Sequence, residues 1–371
     1  FVGLHQSCQD HVTPQLRKQA KPRQQVWRVR AAEVVLATGA AERPLVFHGN
    51  DRPGVMLAGA AQTYLNRYGV RVGDRPVVVA SHDSAWYAAF DLQGAGARIQ
   101  AIVDTRAAVG EDLVNEARAL GIPVKLSHTV TATSGRLRVR SIRVNPLDGG
   151  SVGGGHEIAC DAVLMSGGWT PSLHLFSHTQ GKLKWSDDLT TFLPDRTNED
   201  CAIAGASRGL WGIEAALQDG AERGREAAAA LGKAGNAVTY AVDHDRIGSG
   251  VSHKELPTDR NPGSAKAFVD YQNDVTAKDL RLAVREGMRS IEHVKRYTTN
   301  GMATDQGKLS NINGLMIAAD ALAKEPPQVG LTTFRPPYTP TTFGTFSHAG
   351  LNPLFSSMFS SVRPGSPRSQ R

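Results

Sequence analysis

Cysteine is scarce in this chain of 371 residues: Cys8, Cys160 and Cys201 are the three present, and no two form a Cys-x-x-Cys pair. That excludes a disulfide framework and dithiol–flavin exchange, and it predicts a reducing, cytoplasmic setting. Aromatic residues make up only 6%. No apolar run approaches the roughly 20 residues that a membrane span requires, so no membrane partner is expected. Among the 12 histidines, His82, His174, His178, His244 and His293 show no metal-ligand spacing, and no metal is expected.

Acidic residues are slightly outnumbered, with Lys+Arg 42 against Asp+Glu 35 and a formal net charge of +7. The excess sits at the ends. Arg17, Lys18, Lys21, Arg23, Arg28 and Arg30 face Asp10 alone, and Arg363, Arg368 and Arg371 face no acid. The body is close to neutral, so nucleic acid is not expected as a partner. With 40% hydrophobic and 21% charged residues the composition is that of a globular protein. The length suggests two or three domains of roughly 100–200 residues each.

Val34-Val35-Leu36-Ala37 reads as a buried strand closed by Thr38-Gly39, and residues 56–68 have helical spacing. A second unit follows: a strand at Val77–Ala80, a helix over 85–95, a strand over 99–103, then Asp104. This strand–helix–strand order with an acid about 20 residues past the first turn is that of a dinucleotide-binding half. Residues 127–158 predict an antiparallel meander with turns at Ser134-Gly135 and Gly149-Gly150, and Ala162–Met165 another buried strand before Gly167-Gly168. Cys201–Ala206 predicts a strand leading to an Ala-rich helix over 212–231. Residues 232–266 read as a polar linker. Beyond it Thr276 and Ser290 can cap helices, and a third helix is expected over 308–324. Residues 325–350 hold five of the 19 prolines and read as an extended connector.

Small residues at Ala37-Thr38-Gly39-Ala40 and Ala204-Gly205-Ala206 would let a cofactor approach the backbone closely, or would simply let strand and helix pack. At the second place a following helix N-terminus could face a pyrophosphate. The order of elements is that of flavoproteins in which one dinucleotide domain interrupts another. The inserted unit departs from the G-x-G-x-x-G/A fingerprint: it has Ala80-Ser81-His82-Asp83-Ser84-Ala85, and His82 stands where a missing side chain should admit the pyrophosphate. The inserted unit is therefore expected to be structural, and Asp104 to hold no ribose.

Three stretches resemble the alpha subunit of heterotetrameric sarcosine oxidases. They are Ala37–Val70, including Asn50-Asp-Arg-Pro-Gly54; Phe268–Thr276; and Ser290–Gly307 with Gly330–Pro340. The resemblance covers about residues 26–345. It implies two nested dinucleotide-binding domains of glutathione-reductase type followed by a small helical ferredoxin-like module. On that reading 1–69 and 155–232 are the remainder of the first domain, and 70–154 is the inserted degenerate one with its meander. Residues 233–266 are a linker, 267–325 the helical module, and 326–371 a Pro-rich connector and disordered tail. The family's N-terminal Gly-rich loop would precede Phe1 and its folate-binding domain would follow Thr342. The match stops near Phe346.

The resemblance further implies a non-catalytic NAD lined by Thr38, Gly39, Ala206, Gly209, Trp211 and Ile213. FMN would lie at the interface with a beta subunit, FAD on that partner, and tetrahydrofolate only in a full-length protein. Lys295, Arg296, Tyr297 and Thr298 are the candidates facing flavin and partner, and no catalytic residue is expected on this chain. Related amine and opine oxidases carry an iron–sulfur cluster on a C-x-C…C-x₄-C pattern. Asp270, Gln272, Asp305 and Ser310 occupy those positions here, so no cluster is expected. The implied activity converts sarcosine, oxygen and water to glycine, formaldehyde and hydrogen peroxide, with smaller subunits completing a heterotetramer. The alternatives are a non-catalytic scaffold and part of an FAD- or NAD-linked amine or opine-type dehydrogenase.

Overall fold

The computed structural model describes residues 2–5, 25–147, 155–233, 235–246, 248–261, 263–336 and 338–340. The expected turn at Gly149-Gly150 and the tail from 341 onward lie outside these. Two compact units form: residues 1–32 with 339–371, and residues 33–338. In the first, β1 (Val2–His5) and β2 (Gln25–Arg28) pair as an antiparallel hairpin. The boundary at 32 divides the segment 1–69 that the sequence assigns to one domain.

In the second unit β3 (Val34–Leu36) leads to β4 (Ala40–Glu42). A parallel sheet then assembles from β5 (Val55–Leu57), β6 (Pro76–Ala80), β7 (Ala101–Asp104), β8 (Val124–Lys125) and, later in the chain, β12 (Ala162–Ser166), in the order β5-β12-β6-β7-β8. Side chains of a strand alternate faces. Val78, Ala80, Ile102 and Leu164 accordingly pack on the helices Ala58–Tyr68, Ser84–Gly94 and Glu111–Ala119, with Trp86 wholly buried among them. Val77, Val79, Val103, Val163 and Met165 face the other way. They meet the antiparallel meander β9 (His128–Ser134), β10 (Ser141–Pro146) and β11 (His156–Ala159) through Val130, Ile142 and Val144. A parallel sheet thus has both faces covered, which is why its strands read as continuous apolar runs.

After β12 come β13 (Trp169–Pro171), paired antiparallel with β4, the short helix His174–His178, and the hairpin β14 (Lys182–Ser186) with β15 (Thr191–Arg196). None of these is legible in the sequence pattern. β16 (Cys201–Ile203) pairs parallel with β3, and a helix spans Ile213–Ala230. Residues 233–266, expected as a linker, lie packed: Leu256 is buried and its N–H donates to Val46 O at 2.8 Å.

The helical module opens with β17 (Phe268–Asp270) and β18 (Val275–Thr276) and continues with helices Ala277–Arg285, Ile291–Thr298 and Asn311–Ala321, then a turn of helix at Pro326–Val329. Both expected caps form. Asp279 accepts from the N–H and hydroxyl of Thr276, and Ser290 Oγ from Glu292 N–H. The third helix begins at Asn311, short of the 308 expected, because Asp305 turns the preceding loop by accepting from Gly307 N–H.

Leu164 is fully buried at the sheet centre, whereas Val35 is 37% exposed. Leu164→Ala is expected to cost about 2–5 kcal/mol of stability, and Val35→Ala less than about 1 kcal/mol. Urea denaturation of the two variants measures both.

Candidate nucleotide-binding sites

The first candidate position is the carboxyl end of the parallel pair β3–β16, the edge where ligands of open parallel sheets bind. Pairing of Leu36 with Ile203 sets Thr38-Gly39 beside Ala204-Gly205-Ala206. Thr38 Oγ1 donates to Ser172 O at 2.7 Å, and Ser172 N–H to Gly39 O at 2.9 Å, so β13 holds this turn. Gly39 has φ +68°, and a Cβ there would meet nothing within 4 Å, so the turn opens onto free space.

The helix expected over 212–231 forms at Ile213–Ala230, but it does not follow the strand directly. The strand ends at Ile203, a 3₁₀ turn occupies Gly205–Arg208, and the helix begins only at Ile213. Asp219 pulls the turn against that helix by accepting from Gly205 N–H at 2.8 Å and pairing with Arg208. The first N–H groups of the helix are already bonded: Asp245 accepts from Ile213 at 2.7 Å and from Glu214 at 3.0 Å. A carboxylate supplied by the chain is where the sequence reading placed a phosphate. Ile213 is 60% exposed, while Ala206, Gly209 and Trp211 are partly buried.

The second candidate position, after β6, is filled by the chain itself. The His82 ring is buried, and its Nδ1 accepts from Ser84 N–H at 3.1 Å, which assigns the proton to Nε2. Burial pushes its pKa down to about 4, so the ring is neutral. Residues 248–252 lie across it. Val251 N–H donates to Ser81 O, and Asp83 N–H, just before the helix Ser84–Gly94, donates to Ser249 O at 3.0 Å. A Cβ on Gly250 would come within 2.6 Å of His82 Cδ2 and 2.7 Å of Ser81 O, so only glycine allows the strap to lie this close.

Asp104, the acid placed to hold a ribose, is wholly buried and committed elsewhere. It accepts from Trp86 Nε1 at 2.8 Å, from the Arg106 backbone N–H, and from Arg106 Nε and Nη2. Arg106 Nη1 turns to Asp83 at 2.6 Å and to Ser249 O at 3.1 Å. Ser249 N–H and Oγ both reach Asp83 Oδ2. The groups around Asp104, Arg106 and Asp83 that would greet a dinucleotide therefore already have partners in the chain. Arg43 ties the same strap to β13: buried, it donates to Ser252 Oγ, Thr170 Oγ1 and Trp169 O, and its pKa falls to about 10 through burial.

In the helical module, three of the four positions that match a cluster pattern meet through one network. Asp270 accepts from the backbone N–H of Gln272, Asn273 and Gly301, Gln272 Oε1 from Asp305 N–H, and Asp305 from Gly307 N–H. Ser310 Oγ is buried with no partner among the described residues. These side chains satisfy the loop N–H groups directly. Of the candidates for facing a partner, Tyr297 is 49% exposed, Arg296 pairs with Glu292 at 3.5 Å, and Thr298 donates back to Val294 O. Among the described residues no helix is long and apolar enough to cross a membrane.

Asp83, Arg106, Asp245 and Ser249 escaped the sequence reading. Arg106, two residues beyond Asp104, was the one local signal; the others act across the chain.

Residues 264–350 match the family described as Sarcosine oxidase A3 domain. The alpha subunit of sarcosine oxidase from Rhizobium meliloti (strain 1021) is 43% identical over 89% of this chain and 32% of its own length. That of Corynebacterium sp. (strain P-1) is 38% identical over 88% of this chain and 34% of its own length. An opine oxidase subunit from Rhizobium meliloti (strain 1021) is 25% identical, covering 85% of this chain and 76% of that protein. This chain thus spans about a third of the length of the sarcosine oxidase subunits it matches. Among solved structures, L-proline dehydrogenase from P. horikoshii superposes with a TM-score of 0.63 at 20% identity, covering 87% of this chain and 60% of that one, a likeness of fold.

Asp104→Asn leaves Arg106 buried with half its counter-charge, and a loss of about 3 kcal/mol in urea denaturation is expected. His82 and His174 both have folded pKa values pushed from 6.5 to about 4 by burial. Unfolded chains take up the protons first, so stability should hold above pH 6.5 and fall as pH drops from there toward 4. Thermal melts across that range measure the slope, and His82→Gln should flatten it.

Proposed function

We propose, from the premise that this chain is a homologue of the sarcosine oxidase alpha subunit over nearly nine-tenths of its length, that it is the nucleotide-holding and docking part of such a subunit. The observation that carries this reading is the contrast between the two candidate positions. One opens at Gly39 onto free space, and the other is filled by Ser249, Asp83 and Arg106.

The dinucleotide is NAD, and Thr38, Gly39, Ala206, Gly209, Trp211 and Ile213 line it. NAD here is structural; bound at this edge it would stabilise the chain by mass action. Oxidation of sarcosine with oxygen and water to glycine, formaldehyde and hydrogen peroxide belongs to flavins beyond this chain, with FMN at the interface and FAD on a beta subunit. This chain's contribution there is positional: Lys295, Arg296, Tyr297 and Thr298, in the last turn of the helix Ile291–Thr298, meet the flavin phosphate and partner. Tetrahydrofolate would be held by the folate-binding part of a full-length protein.

The fuller coverage of the opine oxidase relative supports a second reading, part of an amine or opine-type dehydrogenase. The network at Asp270, Gln272 and Asp305 counts against it, since no thiolate remains there to carry electrons out.

Co-expression with a beta subunit distinguishes them. Sarcosine-dependent peroxide formation by the complex and none by the chain alone is expected, as is one NAD released per complex on acid extraction. Gly39→Val, which blocks the open edge, should lower the NAD content at least about tenfold. Turnover by the chain alone, or failure to bind the beta subunit, would sink this reading.

A further inference from the structure

Between residues 254–258 and the helix Ala277–Arg285 lies a groove of about 700 Å³. Small-molecule sites measure roughly 300–1,000 Å³. The helix contributes Lys278, Arg281, Leu282 and Arg285 to its lining. Their i, i+3, i+4, i+7 spacing sets all four on one face. Leu280, Ala283 and Val284 turn instead into the core of the module. Lys254 adds a fourth base, and Glu255 is the one carboxylate of the lining.

Helix stability does not account for these bases. Arg281 and Arg285 are like charges one turn apart, an unfavourable pair. Arg285 suits the carboxyl end of the helix, but Lys278 is its second residue, where the helix dipole disfavours a cation. The helix has a single acid, Asp279, and it is engaged in capping at Thr276. Two of the basic heads reach from the helix to the opposite wall. Arg281 Nη2 lies 2.5 Å from Glu255 Oε2, and Lys278 Nζ donates to Gly263 O at 2.8 Å. The first contact uses one Nη of a guanidinium that has five N–H groups to give. The second is to a neutral carbonyl, so Lys278 has no carboxylate partner among the described residues. Lys254 pairs with Asp320, outside the lining, and Arg285 Nε stands 3.8 Å from Glu286. The groove thus holds uncompensated positive charge beside the apolar side chains of Pro257 and Leu282.

We propose that this groove binds an organic anion, its phosphate or carboxylate group held by Lys278 and Arg281 and its apolar body lying against Pro257 and Leu282. A guanidinium is a planar fork that grips either oxyanion through paired N–H groups, and an ammonium on a flexible stem adds a point charge from the same face. Glu255 holds Arg281 turned across the groove, so the fork is placed before the ligand arrives. The site is separate from the proposed NAD and flavin positions: neither Thr38 and Gly39 nor the helix Ile291–Thr298 lines it.

Calorimetric titration of the full chain with 1-naphthyl phosphate and with 1-naphthoate tests the assignment. Saturable binding of one molecule per chain is expected for at least one probe, and the tighter of the two tells a phosphate ligand from a carboxylate. Inorganic phosphate, which lacks the apolar body, should bind at least about tenfold more weakly. Lys278→Gln combined with Arg281→Gln should weaken the better probe at least about tenfold, through the loss of charge-assisted hydrogen bonds. Lys278 is exposed, so Lys278→Gln alone leaves the fold intact and should weaken it in the same direction. Lys182→Gln, at an exposed base of β14 outside the lining, should leave binding unchanged. Failure of both probes to saturate, equal binding of inorganic phosphate, or unweakened binding by the double variant overturns the proposal.

Discussion

A buried guanidinium organises the centre of this protein. Arg106 is 8% exposed and lies between two carboxylates, Asp104 at the end of β7 and Asp83 just before the helix Ser84–Gly94. Such a cluster is tolerable inside a protein only when nearly every lone pair and proton is used, because desolvating each charge costs several kcal/mol. The chain meets that requirement by bringing Trp86 to Asp104 and Ser249 to Asp83. Ser249 is more than 140 positions from Arg106 in the chain, so the cluster also fixes the path of residues 248–253. His253 continues the strap by bonding Thr105 Oγ1 at 2.9 Å.

That constraint distinguishes the two candidate positions at the ends of β3 and β6. A dinucleotide site is a set of unsatisfied backbone donors with an acid set aside for a ribose. In the inserted domain the donors are bonded to Ser249 and the acid to Arg106 and Trp86, so the architecture remains and the vacancy does not. In the outer domain the turn at Gly39 is open, although Asp245 has taken the helix N-terminus. The same substitution of internal groups for an external ligand recurs in the helical module, where the Asp270 carboxylate gathers three backbone N–H groups. Loops that in a cluster-binding domain would fold around an anionic centre here fold around a side chain.

How the pieces pack follows from the alternation of faces along β6, β7 and β12. One face takes Ala-rich helices, whose small side chains let them approach the sheet closely, and the other takes the meander and Leu256. The core of the helical module includes Val46, from the segment following β4, so that module is rooted in the body rather than tethered to it. This rooting is what composition could not reveal: residues 233–266 are polar because they run along a surface, not because they are free.

The strands β3, β6, β7, β12 and β16, the helices over 58–68, 84–94 and 213–230, the two helix caps and the loss of the glycine fingerprint at His82 were legible in the sequence, because periodicity, capping residues and a missing glycine are local signals. So were the small-residue turns at Thr38-Gly39 and Ala204–Ala206. The tertiary structure alone decided that β4 pairs with β13 and that Asp245 occupies a helix N-terminus. It also decided that Ser249 closes on Asp83 and that His253 reaches Thr105. Those are meetings of groups far apart in the chain, selected by charge burial and hydrogen-bond satisfaction, and no local pattern encodes them.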